Sequence, residues 1–395
     1  MLYRRFGKTE LAMPVFSCGG MRYQQSWQDI PFDQVTAESQ ANVEACIHRA
    51  LELGINHIET ARGYGCSEVQ LGRVLPDLPR DQLIVQTKVG PGEDGDAFER
   101  VFDDSMRKLR LDHVDLLAIH GINNRELLEL SLKPGGSLER CHRLCEQGRA
   151  RFVGFSTHGP TDVIVDAIAS DGFDYVNLHY YWADQANAAA VAAARARDMG
   201  VFIISPSEKG GLLFKPPAKL VELCAPLAPL AFNNAWTLSQ PGVHTLSIGA
   251  ARPSDFDAHV ASLAAVEQGA GLVAPVAARL AAELERVLGA EWLAGWQVGL
   301  PRWEDTPGGV NLYHTLRLYN LAQALDMVDY GKMRYNLLGS GGHWFAGYKV
   351  DKAEWDKLSA VLAASPVAAR IPEVLREAHA MLAGEDQKRL SESEG

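Results

Sequence analysis

Cysteine runs out early in this chain. All six (Cys18, Cys46, Cys66, Cys141, Cys145 and Cys224) lie within the first 224 of 395 residues. None forms a C-x-x-C pair, and Cys141 and Cys145 stand i, i+4, so no zinc or iron–sulfur ligand set is written here. Buried free thiols in a reducing, cytoplasmic setting are the expectation. Long apolar runs are missing too. No window of ~18 uninterrupted apolar residues exists, so no segment reads as a membrane span. The opening Met1-Leu2-Tyr3-Arg4-Arg5-Phe6 has no apolar run of the signal-peptide kind. Positive charge is short, with 38 Lys+Arg against 49 Asp+Glu and a net −11. That balance argues against nucleic-acid binding, which needs basic patches.

What is present is a large apolar fraction: 47% hydrophobic and 22% charged residues, enough for a sizeable core. Short apolar runs fall at Val15–Cys18, Asn56–Glu59, Leu83–Lys88, Val114–His120, Phe152–Ser156, Tyr175–Leu178, Val201–Ser205 and Thr245–Ile248. Amphipathic stretches separate them, at Ala37–Leu53, Ser67–Leu75, Ala97–Leu109, Ser137–Gln147, Pro160–Ser170, Asp184–Met199, Pro229–Ser239 and Asp255–Val266. Eight strands alternating with eight helices predict a parallel sheet closed into a (β/α)8 TIM barrel, an α/β fold. A doubly wound open sheet is the alternative. It usually carries a Gly-rich phosphate loop after its first strand, and Cys18-Gly19-Gly20-Met21 is not G-x-G-x-x-G. Before the first strand, residues 3–11 read as a β-hairpin turning at Gly7-Lys8, placed to plug the N-terminal mouth. A boundary near Gln268 divides a barrel, 1–268, from a helical tail, 269–395. The tail shows helical patterns at Pro275–Leu288, Leu312–Tyr330, Ala353–Ala363 and Pro372–Leu382. Five of the chain's eight Trp lie after residue 290.

Working residues of a βα barrel sit where strands end. Strand two ends at Glu59 and runs into Tyr64, strand three ends at Lys88, and strand four ends at His120. A phenol titrates near ~10, too high for easy proton exchange, and a neighbouring ammonium lowers it. Lys88 supplies that charge, Glu59 holds Lys88, and His120 donates to a substrate oxygen. The product is a general acid, Tyr64, aimed at a carbonyl that receives a hydride. No side chain carries a hydride, so a nicotinamide cofactor is implied. Each residue alone has a plainer reading: an ion pair for Lys88 and Glu59, a strand-end histidine for His120, a packing aromatic for Tyr64.

These motifs resemble the aldo-keto reductase family. The stretch Glu59-Thr60-Ala61-Arg62-Gly63-Tyr64-Gly65-Cys66-Ser67-Glu68, continuing to Leu71-Gly72, looks like its D-T-A-x-x-Y-G-x-S-E-x-x-L-G signature. Thr87-Lys88, His120, Val153–Ser156, Ser205-Pro206 with Gly210-Gly211, and Ile248-Gly249-Ala250 match later landmarks. The resemblance implies reduction of an aldehyde or ketone to an alcohol with NADPH, NADH being possible. It implies Tyr64 as proton donor, Lys88 and Glu59 as its tuning pair, and His120 as carbonyl orienter. It places the nicotinamide carboxamide near Ser156 and Asn177. Ser205, Gly210, Gly211 and Gly249 fall along the diphosphate, and Arg252 and Ser254 near a 2′-phosphate. The chain departs from the pattern at Glu59, where the family has Asp, and at Ile204, where a stacking Tyr is usual. Asp255 stands where many relatives carry Arg, and His259 replaces an Asn expected near adenine. Tyr23, Trp27, Phe32, Tyr180, Tyr181 and Trp182 are candidate pocket walls. Arg22 and Arg125 are candidates for a substrate carboxylate.

The tail resembles a ferredoxin-like helical domain of some aldo-keto reductases, through Gly299, Pro301, Pro307–Asn311, Arg317, Asn320, Arg334, Tyr335, Ile371 and Pro372. Every cluster cysteine is absent. Clusters need thiolates, so no iron–sulfur cluster, and no other metal, is expected. The expected partner is a small carbonyl substrate, without nucleic acid or membrane, and with an oligomer possible through the tail. Two other readings stay open. One is a nicotinamide-binding regulatory or scaffold protein with little turnover. The other is a metal-dependent hydrolase using Glu59, His120 and His179, which lacks the paired ligands of such sites.

Overall fold

The protein is described by a computed structural model covering residues 1–387. A hairpin opens the chain: β1 (Tyr3–Arg5) pairs antiparallel with β2 (Ala12–Pro14) around a 3-10 turn at Gly7–Thr9. Eight parallel strands follow: β3 (Phe16–Gly19), β4 (His57–Glu59), β5 (Ile84–Val89), β6 (Val114–His120), β7 (Ala150–Ser156), β8 (Tyr175–Leu178), β9 (Gly200–Ile203) and β10 (Thr245–Ile248). They close in chain order, β10 pairing with β3. Most of their residues are buried on both faces, which is why they read as unbroken apolar runs rather than as alternation. The seventh strand stops at Ile203, two residues before the expected Ser205. Ser205 itself takes φ 53°, outside the strand region.

The hairpin closes the N-terminal end of the barrel. Phe6, Leu11 and Met13 form one buried cluster with Ile84, Leu116, Ala118, Tyr175 and Phe202. Phe6 lies 5.8 Å from the Tyr175 ring. Gly7 (φ 54°) runs so close to residues 198–200 that a Cβ there would collide with their backbone.

The described residues group into two compact units, one of 1–206 with 233–269, the other of 207–232 with the residues from Ala270 on. The second unit therefore takes in Gly210 and Gly211, which the division at residue 268 assigns to the barrel. Its helices include Ala218–Cys224, Ala270–Leu288, Ala290–Gly295, Leu312–Leu325, Val328–Tyr335, Trp355–Val361 and Ile371–Leu382. The single helix expected over Leu312–Tyr330 is broken, because Asp326 adopts a left-handed conformation (φ 57°) that ends the first segment. The tail residues singled out above do structural work. Asn311 caps the following helix through the His314 amide (3.0 Å). Asn320 accepts from the Trp292 indole (2.8 Å). Tyr335 hydrogen-bonds His379 (2.7 Å) and accepts from the Val350 amide (3.0 Å). Trp292 is fully buried. No single helix among the described residues is long and apolar enough to cross a membrane. None of them contributes to a group of three or more His, Cys, Asp and Glu able to hold a metal ion.

Candidate active site

The C-terminal ends of β4 to β8 bring the expected residues to one mouth. In register, Glu59 pairs with Gln86 and Lys88 with Ala118. His120 pairs with Ser156, and Ser156 with Asn177. The side chains meet as well. Lys88, 1% exposed, is in direct ion-pair contact with Glu59, 2% exposed. It also donates to the Thr60 carbonyl (2.9 Å). Tyr64 donates its hydroxyl to the same Glu59 oxygen (3.3 Å). The Lys88 ammonium lies 4.6 Å from the Tyr64 ring centroid, and the His120 ring meets Tyr64 edge-on at 5.6 Å. Gly63 sits beside the His120 imidazole, where a Cβ would touch it at 3.5 Å.

Burial sets the electrostatics. It pulls the Lys88 ammonium well below its ordinary range, and the Glu59 carboxylate in contact with it keeps the charged form tenable. The Tyr64 phenol is pushed up, again by burial. This differs from the expectation that Lys88 lowers it. The physical reason is position: the ammonium is bound to Glu59 and Thr60, and the phenol donates to Glu59. Tyr64 is thus a protonated donor across the neutral range.

Ser156 and Asn177 form a second group. The Ser156 hydroxyl oxygen accepts from the Gly121 amide (3.1 Å). Asn177 is fully buried, and neither the oxygen nor the nitrogen of its side-chain amide has a hydrogen-bond partner. Such a group is costly to leave open. It offers an NH2 donor group and a carbonyl acceptor at the barrel mouth, which suits a carboxamide. Further along, Asp255 accepts from the Ala251 amide (2.9 Å) and from Arg252 (3.1 Å). Arg252 and Ser254 are exposed there. The Gly249 backbone runs against the Arg22 side chain. His259 is fully buried and bonded to Asn234 (3.1 Å).

Several candidate walls lie elsewhere. Tyr23 is buried beneath Gly20. Phe32 packs under Arg73 (4.0 Å). Tyr180 packs on Trp236 (5.4 Å), and Tyr181 is buried and donates to the Ile204 carbonyl. Arg125 pairs with Asp166 (2.5 Å) and Asp162 (3.5 Å). Trp27 does reach the site, edge-on to Tyr64 at 6.4 Å. Sequence reasoning missed His158. It hydrogen-bonds His179 (3.1 Å), which in turn contacts the Tyr181 hydroxyl (2.5 Å). The signal was the spacing: His158 and His179 each stand two residues beyond the paired Ser156 and Asn177.

A closed eight-stranded parallel barrel with a tyrosine, a lysine, a carboxylate and a histidine at its C-terminal mouth defines a class of oxidoreductase scaffold. Residues 16–219 match the model of the Aldo/keto reductase family, and the chain belongs to that family. It is 32% identical over 187 residues to an L-galactose dehydrogenase of Arabidopsis thaliana, covering 44% of this chain and 57% of that protein. It is 30% identical over 177 residues to an L-glyceraldehyde 3-phosphate reductase of Escherichia coli, covering 40% and 46%. The chain thus spans about half the length of these curated relatives. The fold is similar to that of an aldo-keto reductase from Bacillus halodurans, with a TM-score of 0.60 and 19% identity over 71% of this chain and 96% of that one.

Proposed function

We propose that this protein reduces a small aldehyde or ketone to the alcohol, using a nicotinamide dinucleotide. The observation that carries the reading is the joint placement of Tyr64, Glu59, Lys88 and His120 beside an open buried amide at Asn177. When bound, the reduced nicotinamide supplies the hydride. The chain's own residues do the rest. Asn177 and Ser156 hold the carboxamide, using the donor and acceptor that Asn177 leaves open. His120 orients the carbonyl oxygen. Tyr64, kept protonated by burial, gives its proton to that oxygen as charge develops on it. Glu59 and Lys88 fix the phenol, Glu59 by direct hydrogen bond and Lys88 through Glu59. Ser205, Gly249, Arg252 and Ser254 are assigned to the diphosphate and adenosine.

NADPH is the favoured cofactor because Arg252 and Ser254 are exposed and suited to a phosphate. Asp255 competes with that phosphate for Arg252, so the preference is modest and NADH also binds. Fluorescence titration of both cofactors tests this. Asn177→Leu is expected to weaken both by about tenfold, the loss of one to two hydrogen bonds of about 1 kcal/mol each. Unchanged affinity in that variant removes Asn177 from the site.

A further inference from the structure

Arg62 lies between Glu59 and Tyr64, yet it does not turn toward either. Its amide donates to the Lys88 carbonyl (2.9 Å), and its guanidinium enters a closed ring of four charges. Arg62 pairs with Asp29, Asp29 with Lys108 (2.5 Å), Lys108 with Asp104 (2.9 Å), and Asp104 with Arg62 (3.0 Å). The ring joins three elements: the β4 loop carrying Tyr64, the helix Gly95–Leu109, and the long loop after β3 carrying Asp29 and Trp27. Signs alternate around it, and Arg107 adds a third cation on Asp104. Arg62 and Lys108 are mostly buried. Closed networks of this kind hold geometry better than single surface pairs.

The β3 loop is pinned to the catalytic loop at other points. The Gly20 amide donates to the Glu59 carbonyl (2.7 Å) and the Cys66 amide to the Ser26 carbonyl (3.1 Å). The Ser26 amide meets the Cys66 sulfur (3.2 Å). Gly65 takes φ 55°, and a Cβ there would collide with the Ser26 carbonyl. Asp29 follows Trp27 by two residues, so fixing Asp29 fixes the indole that stands edge-on to Tyr64.

We propose that Arg62 is a positioning residue: through Asp29 it holds Trp27 against Tyr64 and so sets the wall of the carbonyl pocket. This rests on the reductase reading only for its kinetic consequence. The loop's attachment is a property of the free protein. Salt weakens partly exposed ion pairs, so the wall loosens as ionic strength rises.

The test combines amide hydrogen exchange over Ser26–Ile30 with steady-state kinetics, for wild type, Arg62→Gln, Asp29→Asn and the double variant. Each single variant is expected to speed exchange there, Asp29→Asn by about tenfold because it also loses Lys108, with the double no faster than Asp29→Asn alone, since that variant already lacks the Arg62–Asp29 contact. The KM for an aromatic aldehyde is expected to rise about tenfold while kcat changes less than about threefold. Wild type in about 0.5 M NaCl is expected to move toward the variants, which respond less to salt because they lack the Arg62–Asp29 pair. Arg62→Met, which keeps the apolar stem and deletes the Asp29 contact, replaces Arg62→Gln if the latter does not fold. Exchange unchanged in the singles, or single effects that simply multiply in the double, overturns the proposal. If wild type reduces no carbonyl, the exchange measurement still decides this inference, while the reductase reading falls separately.

Discussion

Removing the charge of Lys88 leaves its buried partner Glu59 uncompensated. Lys88→Met keeps the length of the side chain and deletes the ammonium. The side chain is 1% exposed and its partner Glu59 2%, so water cannot replace the lost contact. Breaking a buried pair by removing one partner typically costs about 3–5 kcal/mol, because the other charge is left uncompensated. The Thr60 carbonyl also loses its 2.9 Å donor, which adds about 1 kcal/mol. The Tyr64 hydroxyl donates to Glu59 at 3.3 Å with or without the ammonium, so it does not enter the difference. The expected loss is therefore about 4–6 kcal/mol. Urea unfolding followed by circular dichroism reads it, with Glu59→Gln and the double Glu59→Gln/Lys88→Met as the other corners of the cycle. The double is expected to recover at least about 2 kcal/mol relative to the sum of the singles, since it buries no lone charge. If the protein is the proposed reductase, Glu59→Asp is expected to retain turnover and Glu59→Ala to lose it. A Lys88→Met cost below about 1 kcal/mol, or a double equal to the sum, refutes the view that the two residues act as one buried unit.

Two further predictions concern stability. Glu68 is 1% exposed, accepts from the Thr87 hydroxyl (2.6 Å), and is pushed up to about 7, chiefly by burial. A carboxyl raised in the folded state adds stability in full below its unfolded value near ~4.5, and that stability is lost as pH climbs toward the folded value. Glu68→Gln, which keeps the acceptor for Thr87, should therefore exceed wild type by about 3 kcal/mol near roughly pH 8 and match it near roughly pH 4.5, as urea melts at the two pH values show. In the second unit, Trp292 is fully buried, bonded to Asn320 and covered by Arg370 at 4.7 Å. Trp292→Ala should cost about 3–5 kcal/mol in that unit's unfolding, and a cost under about 1 kcal/mol contradicts a tail held by packing.

The barrel was legible because its strands are buried on both faces and its helices are not, so the alternation is coarse and regular. Val114–His120, Tyr175–Leu178 and Thr245–Ile248 coincide with the observed strands. The placement of Glu59, Lys88 and His120 at one mouth was legible for a related reason: a strand's end is set by its own apolar run, so Glu59 and His120 close β4 and β6, while Lys88 stands one residue before the end of β5 at Val89. The helix Arg125–Leu132 was missed, being short and charged, although Asn124 caps it through the Leu127 amide (2.8 Å). The break at Asp326 left no Gly or Pro to announce it. Residues 207–232 group with the tail through contacts such as Lys219–Glu283 (2.7 Å) and Tyr330 with the Lys209 carbonyl (2.6 Å), pairings that no local pattern encodes. The fate of Arg62 was hidden in the same way, because Asp29 lies 33 residues away. The orphan amide of Asn177 is a property of three-dimensional burial alone.

In the proposed reaction Tyr64 gives a proton to a carbonyl at this mouth. The most direct measurement is the oxidation of NADPH with a panel of small aldehydes, comparing wild type with Tyr64→Phe. Steady oxidation by wild type is expected, with a loss of about 10²–10⁴-fold in the variant and NADPH affinity unchanged. Tight NADPH binding by wild type without oxidation on any aldehyde or ketone, or equal rates in the two proteins, contradicts the proposed reaction.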